Sequence, residues 1–246
     1  MSLQIIPVPI LQDVSFGDDL VDILLRTKAG CSLKDGDILI FTQKIISKQE
    51  GRKINLSKIN PSLLATGIAS AYAKDSRIVQ LILDETKKIV RMKNGIIISK
   101  THQGFVCANA GVDESNVEKG FATLLPKDSD KSAQKIRKKV KTKTGKDVAV
   151  LISDTFGRPF REGQTDVAIG VSGISPIVNY KGKQDTFKRI LRVTEIAIAD
   201  ELCSAGELVR GKMSGIPIAI VRNYDFGKKN GSLDDLLRDK SLDLFR

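Results

Sequence analysis

Short apolar runs and helical patterns alternate along the whole chain. Leu3–Val8 and Asp37–Thr42 read as strands, with a helix over Asp18–Ala29 between them, closed by Gly30. Asn60-Pro61 marks a helix start, with Asn as cap and Pro at the first helical position, and that helix runs to Ala73. Another follows over Arg77–Lys87. In IVRMKNGIIIS, Asn94-Gly95 sits between two apolar stretches and predicts a hairpin, because both residues tolerate positive φ. Phe105–Ala108 continues the meander. Ser129–Thr144 predicts a helix stopped by Gly145, and Val148–Ile152 and Val167–Val171 read as strands. Thr194–Val209 predicts a helix, Ile218–Val221 the last strand, and Ser232 the cap of a short C-terminal helix.

Interleaved strands and helices predict an α/β (mixed α+β) fold, with sheets of mixed strands and flanking helices. No repeat, low-complexity segment or flexible linker divides residues 1–246, so one compact domain is expected, built from at most two interleaved subdomains. No apolar run approaches the roughly 20 residues that cross a bilayer. MSLQIIPVPI lacks the basic start and cleavage site of a signal peptide, so the expected location is cytoplasmic, with no membrane partner.

The net charge of +11 suits nucleic acid, an anionic surface or small polyanions. With nine Phe, three Tyr and no Trp, the chain has few stacking platforms for single strands, which favours small polyanions over nucleic acid. The densest basic run is IRKKVKTKTGK. Ile136 and Val140 give it one narrow apolar stripe, so its lysines read as a solvated helix face rather than an anion site. Cys31, Cys107 and Cys203 have no paired spacing and read as buried thiols. His102, the only histidine, reads as a surface residue, which argues against a Ser-His-Asp system.

There is no G-x-x-x-x-G-K-[ST] and no G-x-G-x-x-G after a strand, so a nucleotide would have to bind by another device. Three polar segments do follow apolar strands: TQKIISKQEGR (Thr42–Arg52), NAGVDESN (Asn109–Asn116) and the polar end of VLISDTFGRPFR (Val150–Arg161). Each alone could be a capped turn. Together they supply two carboxylates, amide and hydroxyl oxygens, and Lys44, Lys48, Arg52, Arg158 and Arg161. That set suits a phosphate chain with magnesium or manganese, which prefer oxygen ligands.

TQKIISKQEGR, NAGVDESNV, SDTFGRPFREGQTDVAIG, TEIAIADELCSAGELVRGK and GIPIAIVR, in this order, closely resemble the signature segments of the coenzyme F420-0:L-glutamate ligase family. The resemblance implies a GTP-dependent amide ligase acting on coenzyme F420-0 and L-glutamate, homodimeric, with divalent metal and a stimulating potassium ion. It implies that Asp113 and Asp154 hold metal, with Thr155 on a second ion. It implies that Asn116 and Lys48 contact nucleotide, with Gln43 and Lys44 beside it. The loop Arg210–Gly215, containing Gly211, Lys212 and Met213, matches a nucleotide-contacting segment, but its RGKMS departs from some relatives and puts a metal ligand there in doubt. PVPILQ matches another contact segment loosely. Arg158 and Arg161 would face substrate anions, the alternative being an ion pair with Glu162. Some members carry a fused nitroreductase-like domain, and none is expected here.

The implied reaction makes an acyl phosphate from the precursor carboxylate and GTP, and the glutamate amine then displaces phosphate. Asp113, Asp154 and Arg158 are the expected catalytic residues. Further γ-linked glutamates are an extension of the same chemistry. The alternatives are a related metal-dependent amide ligase acting on another acidic metabolite, or a non-catalytic anion- or RNA-binding protein.

Overall fold

The structure is a computed structural model and describes residues 2–227 and 229–244. Its main sheet has the order β1 (Gln4–Val8), β12 (Ile218–Arg222), β2 (Ile38–Thr42), β8 (Ala149–Gly157) and β9 (Gln164–Ser172). The β2–β8 pair is parallel and the others are antiparallel. ILIF in β2 and AVLI in β8 are apolar without alternation because both sheet faces are covered. Leu39, Phe41, Val150 and Ile152 pack on one face with α1 (Leu20–Leu25), α3 (Gln43–Gln49) and α6 (Ser129–Thr144). Ile38, Ile40, Ala149 and Leu151 pack on the other with α7 (Ile198–Arg210).

A third apolar cluster lies within residues 56–124. Helices α4 (Leu63–Tyr72) and α5 (Ser76–Asp84) close over a three-stranded meander of β4 (Thr86–Lys93), β5 (Ile96–Thr101) and β6 (Val106–Ala108) and a pair of β3 (Lys53–Asn55) and β7 (Phe121–Thr123). The hairpin turns at Asn94 and Gly95, both at positive φ, as their chemistry predicts. Helix α6 has the predicted limits: Asp128 Oδ1 accepts from Lys131 N at 2.9 Å, and Gly145 takes the left-handed cap. Its lysines face solvent, and Lys139 and Lys143 pair with Asp19 and Asp22 at the start of α1.

Several elements differ from the sequence reading. The Asp18–Ala29 helix breaks at Thr27, whose side chain caps a separate turn, α2 (Lys28–Cys31), and Gly30 lies inside it. Gly30 is required by packing, since a Cβ there would lie 1.9 Å from the Leu24 carbonyl oxygen. Ser62, not Asn60, caps α4. Residues 86–87 of the predicted Arg77–Lys87 helix begin β4, and 195–196 of the predicted Thr194–Val209 helix form β11 (Glu195–Ile196), paired with β10 (Val178–Asn179). Ser232 is the N-cap as expected, but of a single 3₁₀ turn, Leu233–Asp235. Cys31 is exposed, whereas Cys107 and Cys203 are buried, and all three are free thiols. Among the described residues, no helix is long and apolar enough to cross a membrane.

Candidate functional site

A cleft opens where β2 stops. Thr42, the last residue of β2, pairs with Ser153, and the chain turns at once into α3. β8 runs on through Asp154–Gly157 and, among the described residues, pairs there with β9 alone. The stretch read as a polar loop is therefore strand, and its uncovered edge borders a cleft of about 960 Å³. A register shift between Ile152 and Ser153 bends the pair at that point, a common device for re-aiming side chains beside a site. The other walls come from residues 10–14, α3, the turn after β6 and the loop after α7.

Asp113, Asp154, Thr155, Gln43, Lys44, Lys48, Asn116, Gly211, Lys212 and Met213 all line this cleft, although they come from four separate parts of the chain. Arg158 and Arg161 do not. Arg158 curls over its own turn, donating to the carbonyls of Glu162 and, at 3.4 Å, Gly163, and Arg161 is exposed. The Arg158 contact is with backbone rather than with the Glu162 carboxylate. Gln43 is buried, with its amide donating inward to Ser47 Oγ and the Leu124 carbonyl, so its donors are turned away from a ligand. His102 is exposed, as expected, and its ring lies 3.2 Å from the Asp84 carbonyl oxygen.

Both cleft lysines of α3 hold internal acids. Lys44 Nζ lies 2.6 Å from Asp113 Oδ2 and donates to the carbonyl and hydroxyl oxygens of Ser115. Lys48, which is buried, lies 2.6 Å from Asp13 Oδ1, so it is not a solvated surface lysine. Burial raises the Asp113 carboxyl, but hydrogen bonds from Lys44 and Ser115 outweigh it and leave the group below its ordinary range. At Asp13 the Lys48 hydrogen bond is the largest effect and also lowers it.

Asp154 is different. Among the described residues no side chain hydrogen-bonds it or pairs with it. Burial pushes its carboxyl up to about 7; the Thr155 backbone N–H opposes this, and the charges of Asp113 and Asp166 add to it. An acid left without a partner beside two other carboxylates is suited to a cation. Asp113, Asp154 and Thr155 offer hard oxygen donors of the kind magnesium and manganese take. Among the described residues no three Asp, Glu, His or Cys side chains converge as a metal centre, so the protein would supply few ligands and phosphate oxygens or water the rest. Cys107 borders the same space, but burial, with the Asp154 charge adding to it, holds its thiol up at about 12, protonated and unreactive.

The sequence reading missed Asp13, Ser115 and Asp166. Asp166 is buried in the wall with Arg210, Nη2 to Oδ2 2.6 Å. Its signal was present: in QTDVAIG, period two puts Asp166 on the same face as Ala168, which is a core position.

Ammonium groups facing carboxylates and hydroxyls, at the end of a parallel strand pair, define an α/β enzyme site for small anionic molecules. The chain belongs to the F420-0:gamma-glutamyl ligase family, whose family model matches residues 9–223. It is 45% identical to the coenzyme F420:L-glutamate ligase of Methanothermobacter thermautotrophicus, with all of both chains covered. Identity to the protein of that name from Methanocaldococcus jannaschii is 49%, over 87% of this chain and 86% of the relative. For the one from Methanopyrus kandleri it is 40%, over 100% and 98%.

Proposed function

We propose that this chain joins L-glutamate to the lactyl carboxylate of coenzyme F420-0, using GTP and releasing GDP and phosphate. Family membership supports the two acid substrates, and one observation supports the nucleotide: Lys44, Lys48 and Lys212 face Asp113 and Asp154 across a single cleft. The lysines would meet phosphate oxygens, each exchanging an internal acceptor for a ligand anion. Asp113, Asp154 and Thr155 would hold divalent metal, with potassium as a further cation. When bound, the metal would supply charge stabilisation at the γ-phosphate.

In the first step a carboxylate oxygen of the precursor attacks the γ-phosphorus, and the bond to the β–γ bridging oxygen breaks as GDP leaves. In the second, the glutamate amine attacks the acyl carbon, the acyl–oxygen bond breaks, phosphate leaves and the amine gives up a proton. The chain's residues contribute positioning and charge, which carry most of the catalysis in phosphoryl transfer, and no protein nucleophile is required. A homodimer accompanies this reading. The segment around β10 and β11 exposes Phe187, Ile190 and Val193, apolar surface of the kind an interface covers.

The test is product mass from purified protein with F420-0, glutamate, GTP and magnesium. GTP turnover unchanged by leaving out F420-0 would count decisively against the proposal. Light scattering tests the dimer separately, and a monomer at micromolar concentration removes that part alone.

A further inference from the structure

Asp166 takes no part in the steps above. It lies on β9 directly opposite Thr155 on β8, 3% exposed. Alternate residues of β8 point to opposite faces, so Ser153 and Thr155 share the α7 side while Asp154 points to the other. The Asp166 carboxylate accepts from Thr155 Oγ1 at 2.6 Å and from Ser153 Oγ at 3.2 Å. It also accepts from Arg210 Nη2 at 2.6 Å, at the last turn of α7. Arg210 is 1% exposed, and its Nε and Nη1 have no acceptor among the described residues; Asp166 at 2.6 Å is its nearer counter-charge, with Glu207 Oε2 at 3.9 Å.

A carboxylate paired with arginine can only accept hydrogen bonds. The Thr155 hydroxyl hydrogen is therefore turned toward Asp166, and the oxygen keeps its lone pairs for the cleft. Lys212 Nζ donates to that oxygen. An ammonium in this contact shows that the oxygen is presented to positive charge.

We infer that Asp166 is a positioning residue: held by Arg210, it takes the Thr155 hydroxyl proton and fixes Thr155 Oγ1 as an acceptor for a divalent cation bound with nucleotide phosphates. This rests on the nucleotide and metal reading of the cleft. Asp166→Asn reverses the arrangement. Arg210 can only donate, so the Asn carbonyl turns to it, and the amide N–H₂ faces Thr155 as a donor, sending the hydroxyl hydrogen outward.

The experiment measures Mn²⁺ uptake in the presence of GDP, from the loss of the free Mn²⁺ paramagnetic resonance signal. The proteins are the parent, Asp166→Asn, Thr155→Ser, Thr155→Val and the double variant Asp166→Asn/Thr155→Val. The inference expects about tenfold weaker uptake in Asp166→Asn and in Thr155→Val, near-parental uptake in Thr155→Ser, and no further loss in the double variant. Parental affinity in Asp166→Asn, or effects that multiply in the double variant, overturns it. Thr155→Val keeps the Asp166–Arg210 pair, so if Asp166→Asn fails to fold, parental affinity in Thr155→Val overturns the inference on its own. A parent that takes up no Mn²⁺ with GDP overturns the cleft reading as well, a result distinct from variants that match a binding parent.

Discussion

The ammonium of Lys44 lies 2.6 Å from the Asp113 carboxylate, tying the first turn of α3 to the segment after β6 across 69 residues of chain. A lysine is thus seated on one of the two acids proposed to hold metal. Lys44→Met should free Asp113 for a cation while removing a phosphate partner. Magnesium alone should then stabilise the variant more than the parent, and GDP should bind it less tightly. Thermal melts with magnesium and calorimetric GDP titration check the two signs, and identical responses would show the pair to be structural only. Asp113 is held below its ordinary range, so the pair's stabilisation is complete above the unfolded carboxylate value. It is lost as pH falls through the lower folded value. With Asp113 44% exposed, screening limits that contribution to about 1 kcal/mol at neutral pH.

Lys48 and Asp13 allow a test with opposite outcomes. The lysine is buried and the aspartate 67% exposed, so the acid can swing away and leave the ammonium to a phosphate. Lys48→Ala should weaken GDP binding more than Mn²⁺ binding. Asp13→Asn removes the competing acid and should tighten GDP binding. If both variants lose affinity equally, Asp13 supports the site and does not compete for Lys48.

The strands of the main sheet, the Asn94-Gly95 hairpin and α6 were legible because their signals are local: unbroken apolar runs, Asn-Gly, and a helix between Asp128 and Gly145. The lining of the cleft was legible only through the order of short segments, since residues from Gln43 to Met213 meet through strand order that no single stretch encodes. What failed was decided by tertiary contact. Gly30 looked like a helix stop because a sequence cannot show the Leu24 carbonyl beneath it. The DTFG stretch looked like a loop because its pairing with Thr165 and Asp166 on β9 is invisible locally. Arg158, read as an anion ligand, donates here to the carbonyls of its own turn at Glu162 and Gly163.

Gly30→Ala follows from that contact. Its Cβ would overlap backbone rather than a flexible side chain, so α2 must move off α1. Overpacking of this kind costs about 3 kcal/mol. Chemical denaturation should show the loss, with GDP affinity of the folded protein unchanged because neither helix lines the cleft. Parental stability would mean that the α1–α2 turn adjusts freely.

Asp154 offers the sharpest test, because its environment predicts both a loss and a gain. Burial and the charges of Asp113 and Asp166 hold its carboxyl at about 7, against an ordinary 3.8. A folded-state value above the unfolded one means that the native protein binds the proton more tightly. Stability from this group is therefore complete below the unfolded value and is lost as pH rises toward 7. The whole interval corresponds to roughly 4 kcal/mol as an upper limit. Asp154→Asn removes the ionisation and with it the decline. Without metal, its melting temperature should pull ahead of the parent's between about pH 4 and 7 and hold a constant lead above that. Magnesium with GDP should narrow the lead by stabilising the parent alone. Ligation should fall to near background in Asp154→Asn and in Asp113→Asn, with both variants folded. Parallel melting profiles across the pH range would mean that Asp154 is solvated and unstrained. Parental ligation rates in both variants would place the cation, and the chemistry, somewhere other than the end of β8.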